Sequence, residues 1–244
     1  MDRLSFPTIG ISLIAFAALA GCATPPSPTP PAGIAAAVTA PAARTGAHWR
    51  YVAHDGYTHL PKGDVELFVT GAESGTIAVT RTESGQTYDE RYTNTGGWLA
   101  RRLTNLQPLR FEPALSALPF PLQAGKTWQE VVRATDPATG RQYRVRIDGR
   151  VRGWERVRVP AGEFDALRVE RRIYAGNPDY FRTEERIREI DWYSPVAGTV
   201  VKRETSSEHL DISKSCRSAM CNVVLGDYTV YELADTRTGK PDGT

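Results

Sequence analysis

Residues 143–151 read YRVRIDGRV. Apolar or small residues (Tyr143, Val145, Ile147, Gly149, Val151) alternate with charged or polar ones. Successive side chains of a strand point to opposite faces, so this is the pattern of a half-buried β-strand. Asp148-Gly149 also has the composition of a two-residue hairpin turn. A continuous strand is the preferred reading, because it keeps Val151 on the face of Val145 and Ile147. Arg152-Gly153 is then expected to turn the chain. A second alternating run follows at Glu155–Val159. Pro160-Ala161-Gly162 supplies a tight turn, with proline fixing φ and glycine free to take φ > 0. Leu167, Val169 and Ile173 resume the alternation.

The same rhythm extends in both directions. Strands are expected at Trp49–Ala53, Val65–Thr70, Thr76–Thr82 and Gln86–Tyr92, and again at Arg186–Tyr193, Val200–Thr205 and Tyr228–Leu233. Glu73-Ser74-Gly75 and Glu83-Ser84-Gly85 bracket the third strand at meander spacing. One short helix is expected at Glu112–Leu118, and helical periodicity is otherwise scarce. The fold class is all-β: an antiparallel, strongly curved sheet, sandwich or open barrel.

The N-terminus carries an address. After Arg3 an apolar run from Ile9 to Ala20 is too short to cross a bilayer, which takes ~20 residues, and has the layout of a secretory signal. It ends in Leu19-Ala20-Gly21-Cys22, which resembles the lipobox of bacterial lipoproteins. That resemblance implies cleavage before Cys22, diacylglycerol on its sulfur, and an acyl chain such as palmitate on its amine. Cys22 is then the lipidation site and membrane anchor. Ala23, in place of Asp, implies the periplasmic face of the outer membrane rather than the inner membrane. From Ala23 to Gly46 there are six prolines, no aromatic residue and one charge, Arg44. Such a segment lacks the material for a core and is expected to stay extended or disordered, with a fully extended reach on the order of 70 Å. The expected organisation is a signal peptide at 1–21, a tether at 22–46, a β domain at 47–234 and a frayed tail at 235–244.

A second resemblance lies within the domain. Pro121-Leu122-x-x-Gly125-Lys126-x-Trp128, Val159-Pro160-Ala161-Gly162-x-Phe164-x-Ala166 and Trp192-Tyr193-x-Pro195-x-x-Gly198-x-Val200 look like motifs of uncharacterised bacterial envelope families, known as domains of unknown function. The likeness spans about residues 115–205. It implies an exported β domain and supplies no catalytic residue.

The net charge is +2, which is not a nucleic-acid binder's balance. Cys216 and Cys221 form a C-x4-C pair, read as a disulfide in an exported domain and worth ~2 kcal/mol on the chain-entropy estimate. No nucleophile elbow, zinc-binding helix or phosphate loop occurs, and no catalytic residue, metal or cofactor is expected. His48 and His54 fall on one strand face but ~20 Å apart, too far to share an ion. His54 and His59 are brought nearer by a turn at Asp55-Gly56, without a third ligand. The carboxylates between Asp179 and Asp191 lie among Arg182, Arg186 and Arg188 and read as cross-strand ion pairs on a solvated face.

The most unusual feature is arginine. Residues 141–172 hold ten arginines against five acids, and the chain has 25 arginines against 5 lysines. Arg144, Arg146, Arg150 and Arg152 are expected on one strand face, with Arg156 and Arg158 projecting alike from the next run. Guanidinium forks suit phosphates and carboxylates, so these six form a candidate anion-binding face. Genome composition, with pairing to acidic strands, explains the same residues without a ligand. The expected partners are the membrane, through Cys22, and an anionic envelope component or envelope protein, with no nucleic acid. Three functions stand in order: a non-catalytic binding or scaffold lipoprotein; a carrier of an apolar ligand in a curved sheet; and an envelope hydrolase with dispersed carboxylates. An apolar concave face left unfilled separates the second from the first.

Overall fold

In the computed structural model, residues 25–103, 108–176, 184–211 and 223–238 are described. Twelve antiparallel strands follow in chain order: β1 (His48–Asp55), β2 (Pro61–Glu73), β3 (Thr76–Glu83), β4 (Gln86–Thr93), β5 (Trp98–Arg102), β6 (Pro108–Leu115), β7 (Thr127–Thr135), β8 (Gln142–Val159), β9 (Gly162–Ala175), β10 (Glu185–Ser194), β11 (Thr199–Leu210) and β12 (Val223–Arg237). Each strand pairs with its neighbours in sequence, and β1 pairs with β12, so the meander closes into a barrel. Closure removes the unpaired edges that a curved open sheet would present. Among the described residues there is no helix.

The turns explain part of this economy. Ser74-Gly75 and Ser84-Gly85 join β2 to β3 and β3 to β4, and all four residues have positive φ. That is the geometry whose twist matches paired strands.

Three expectations are corrected here. The helix expected over Glu112–Leu118 is largely strand β6. Pairing with β5 and β7 buries Leu109, Phe111 and Leu115 while Arg110 and Glu112 stay exposed. Arg152-Gly153 does not turn the chain: β8 runs on through a bulge between Val151 and Gly153. The C-terminal strand, expected at Tyr228–Leu233, runs from Val223 to Arg237.

The segment read as a tether is extended but docked. The N–H of Ser27 donates to the Trp154 carbonyl at 2.9 Å, and that of Trp154 to the Ser27 carbonyl at 2.7 Å. Val38 and Leu122 exchange the same pair at 2.8 Å each, and Val38 is buried. Residues 25–46 therefore form a strap. It crosses the end of the barrel that carries the β4–β5, β6–β7, β8–β9 and β10–β11 connections.

The interior is unevenly filled. On the β5–β10 side Phe111, Val132, Val145, Ile147, Ile173 and Ile187 pack into one apolar cluster. On the β1–β4 side Ala47, Val69 and Val79 form a small buried set, with Trp49, Leu67, Ile77 and Tyr92 partly buried around them, while Tyr51, Ala53 and Val65 are buried in a separate cluster with Leu233 of β12.

Candidate ligand cavity and buried charge network

Where the β1–β4 side is thinly packed, the barrel encloses a cavity of about 470 Å³ that opens under the strap. That falls within the ~300–1,000 Å³ range of small-molecule sites. Strand alternation lines it. Trp49 and Tyr51 of β1, Val65, Leu67 and Val69 of β2, and Ile77 and Val79 of β3 share the inward face, as their cross-strand register requires. Tyr92, Trp98, Phe120 and Tyr193 complete the apolar wall, and Ala40–Arg44 of the strap line the mouth. The Tyr51 hydroxyl donates to the Val200 carbonyl at 2.8 Å. Burial raises the Tyr51 phenol and pushes Tyr193 up to about 12, so both stay neutral donors at physiological pH.

Beside the cavity lies a network of buried charge. Arg171 sits opposite Gly149 in the β8–β9 ladder and opposite Glu189 in the β9–β10 ladder. Its Nη2 donates to Glu189 at 2.6 Å and to Asp191 at 2.7 Å, and its Nη1 to the Ala117 carbonyl at 3.1 Å. Arg203 of β11 grips Asp191 through Nε at 2.6 Å and Nη2 at 2.8 Å. Arg101 bridges Glu90 and Glu189 at 3.7 Å each and stacks on Trp98, 4.1 Å from its ring centre. Arg81 donates to Glu83 from Nε at 3.0 Å and Nη2 at 2.9 Å.

These pairs decide the protonation states. Burial alone would raise the Asp191 carboxyl, but Arg171 and Arg203 outweigh it and hold the group well below the carboxylate range. Glu189 is lowered in the same way, burial being overcome by Arg101, Arg171 and Arg203. Arg203 is raised because Asp191 and Glu189 outweigh its own desolvation. Ionised, arginine-bound carboxylates are poor proton donors, since a general acid needs a raised pKa.

Sequence reasoning placed the carboxylates near Asp191 on a solvated face. Arg186 and Arg188 are exposed as expected, but Glu189 and Asp191 point inward. Parity carried the signal: Glu189 and Asp191 continue the alternation of Ile187 and Tyr193, Arg171 stands between Val169 and Ile173, and Arg203 follows Val201. A charge on the apolar parity of a strand marks a buried ion pair.

The candidate arginine face divides in two. Arg144, Arg146, Arg150 and Arg152 do lie on one side of β8. Arg150 faces Glu170, whereas beyond the bulge Arg156 faces Asp165 and Arg158 faces Glu163. No bulge interrupts β9 over that span, so positions 165 and 170 fall on opposite faces. The extra residue at the bulge reverses the alternation, and Arg156 and Arg158 do not project with the others. Four of the six hold a carboxylate: Arg146–Asp148 at 2.6 Å, Arg152–Glu170 at 2.7 Å, Arg156–Asp165 at 3.2 Å, and Arg158–Glu163. Arg144 and Arg150 have no ion pair among the described residues.

Elsewhere, the His54 and His59 rings lie 6.3 Å apart, and His48 is 3.6 Å from Glu66. Among the described residues no cluster of three metal-ligating side chains occurs. Cys22, Cys216 and Cys221 lie outside the described residues.

No family model matches the chain, and no curated protein matches it. Among solved structures, a candidate lipoprotein from Parabacteroides distasonis aligns at 14% identity with a TM-score of 0.45, over 84% of this chain and 100% of its own. A candidate exported protein with a YmcC-like fold from Bacteroides fragilis aligns at 12% identity and TM-score 0.45, over 83% and 100%. The hypothetical lipoprotein YmcC from Escherichia coli aligns at 11% identity and TM-score 0.42, over 81% and 85%. These are partial overlaps at very low identity.

Proposed function

We propose that this protein is a lipid-anchored, non-catalytic binding module of the bacterial envelope whose barrel carries an apolar or amphiphilic ligand. The observation behind the carrier reading is the cavity of about 470 Å³, walled by Trp49, Tyr51, Leu67, Ile77, Tyr92 and Phe120, inside a barrel packed solid on its other side. An apolar void of this size beside a well-packed core is costly to leave, because its lining forgoes dispersion contacts that a ligand restores.

The anchoring reading rests on the lipobox at Cys22. Ser27, docked on Trp154, is five residues beyond it, and five residues span at most ~18 Å. An anchored Cys22 then holds the barrel close to the bilayer, with the strap and the cavity mouth on the anchored side. Apolar ligands would pass between bilayer and cavity over a short distance. The periplasmic face of the outer membrane is the location this reading favours.

Two measurements test the two halves. Cys22→Ser should remain uncut by the lipoprotein-specific peptidase and take up no acyl label; an unchanged label removes the anchor. Gentle native mass spectrometry of the purified protein should show added lipid mass, and Val69→Phe, which narrows the cavity, should reduce it. A clean apo mass together with no uptake of a fluorescent acyl probe removes the carrier and leaves a scaffold.

A further inference from the structure

We infer that the cavity selects an anionic amphiphile, a single acyl chain with a carboxylate or phosphate head, through Arg81 and Arg203. The inference rests on the carrier reading above and adds the chemistry of the head group.

The charged side chains lining the cavity are all arginine: Arg44 and Arg237 near the mouth, Arg81 and Arg203 deep among the tyrosines. No aspartate or glutamate lines it. Arg81 and Arg203 converge on Tyr231. Arg203 is its cross-strand partner, and the Arg81 guanidinium stands 5.3 Å from the centre of its ring. Their side chains are only 12% and 17% exposed, so a head group there would meet them largely stripped of water.

Each guanidinium is held from behind. Glu83 takes Nε and Nη2 of Arg81, and Asp191 takes Nε and Nη2 of Arg203. The remaining Nη1 of each has no hydrogen-bond partner among the described residues. Neither is a buried orphan of the kind found at Arg101 and Arg171, and both residues line the cavity. A carboxylate or phosphate oxygen would complete these two donors. Charge-assisted bonds of this kind are about twice as strong as neutral ones, and the carboxylates behind fix the guanidinium planes before the ligand arrives.

The volume limits the tail. A methylene takes up about a water's share of liquid volume, ~30 Å³, so about 470 Å³ holds roughly fifteen such groups. One acyl chain fits this space and two do not.

Binding of dodecanoate, dodecyl phosphate and dodecanol to the purified protein at pH 7.4 tests the inference. The tails are equal, so only the head differs. At least one anion should bind tenfold or more tightly than the alcohol, and whichever binds more tightly identifies the head. Arg81→Gln should bring that ratio toward unity while leaving alcohol binding in place. Arg203→Gln should do the same if it folds; Arg81→Gln and the wild-type comparison do not depend on it. Equal binding of all three probes overturns the head-group inference and leaves an apolar cavity. A wild-type preference that survives both substitutions removes these arginines as its source. No binding of any probe overturns the carrier reading itself.

Discussion

Arg171 and Asp191 meet at 2.7 Å in the barrel interior, and neither side chain reaches solvent. Its ladder partner is Gly149, where the indole of Trp128 fills the space a side chain would need. Trp128 anchors its own Nε1 on the Ser116 carbonyl at 2.8 Å. The cation stands between Val169 and Ile173 on an otherwise apolar strand face, and two carboxylates from β10 neutralise it.

Breaking this arrangement on one side should be severe. Arg171→Ala leaves Glu189 and Asp191 buried with fewer cations, and removal of one partner from a buried pair typically costs ~3–5 kcal/mol. Urea unfolding should show a midpoint far below wild type. A triple change of Arg171→Met, Asp191→Leu and Arg203→Met, which leaves Glu189 with Arg101, should recover much of the loss, since a well-packed apolar replacement avoids the desolvation cost. Recovery no greater than in the single variant would point to the backbone rather than the charges.

Acid should unfold the barrel through the same residues. Glu189 and Asp191 are held below their ordinary values of 4.5 and 3.8. A carboxyl depressed by folding contributes stability that is complete above its unfolded value and is lost as pH falls toward its folded value. Stability should therefore be level from neutral pH down to about 5 and decline steeply below about 4. In Arg171→Ala the two groups titrate nearer their unfolded values, so the slope below pH 4 should be shallower. Chemical denaturation at a series of pH values measures both slopes.

Gly153→Val should release the strap. Gly153 has φ of +148°, and a Cβ there would stand against the Ser27 carbonyl and Pro26. Neither the backbone angle nor the neighbour allows a side chain. Limited proteolysis should cut within residues 25–46 at least tenfold faster than in wild type, while the barrel keeps its β circular dichroism. An unchanged cleavage rate would show that the strap does not depend on the pairing of Ser27 with Trp154.

The two arginine groups on β8 should behave differently. If the outer face of β8 meets an anionic surface, Arg144, Arg146 and Arg150 changed together to Gln should weaken co-sedimentation with anionic vesicles at low salt, and high salt should abolish the difference. Arg156→Gln with Arg158→Gln should change neither binding nor stability appreciably. Those side chains are 70% and 84% exposed, and exposed pairs contribute less than ~1 kcal/mol. Equal loss from both sets would place all six on one surface, against the register of β8.

Much of the barrel was legible in the sequence because strand periodicity is a local property. A residue's face depends only on its parity, so β1–β4 and β8–β12 could be read from alternation and from the Ser-Gly turns. Three strands were missed. β5 has only five residues, β6 carries two prolines, and β7 alternates weakly, so their identity comes from the neighbours they pair with. The bulge at Val151–Gly153 was hidden for a related reason. Its glycine read as a turn, and only the β8–β9 register shows one extra residue reversing the face of all that follows.

The sequence by itself determined the all-β class, the alternation of most strands and the composition of the segment that became the strap. Tertiary structure alone decided that β1 closes on β12, that the strap docks, and that Arg171, Glu189, Asp191 and Arg203 turn inward to one another beside an unfilled apolar space. The physical reason is range. Alternation and turn chemistry act over two to four residues, whereas closure, charge pairing and void volume depend on side chains brought together from separate strands, which for β1 and β12 lie more than a hundred residues apart.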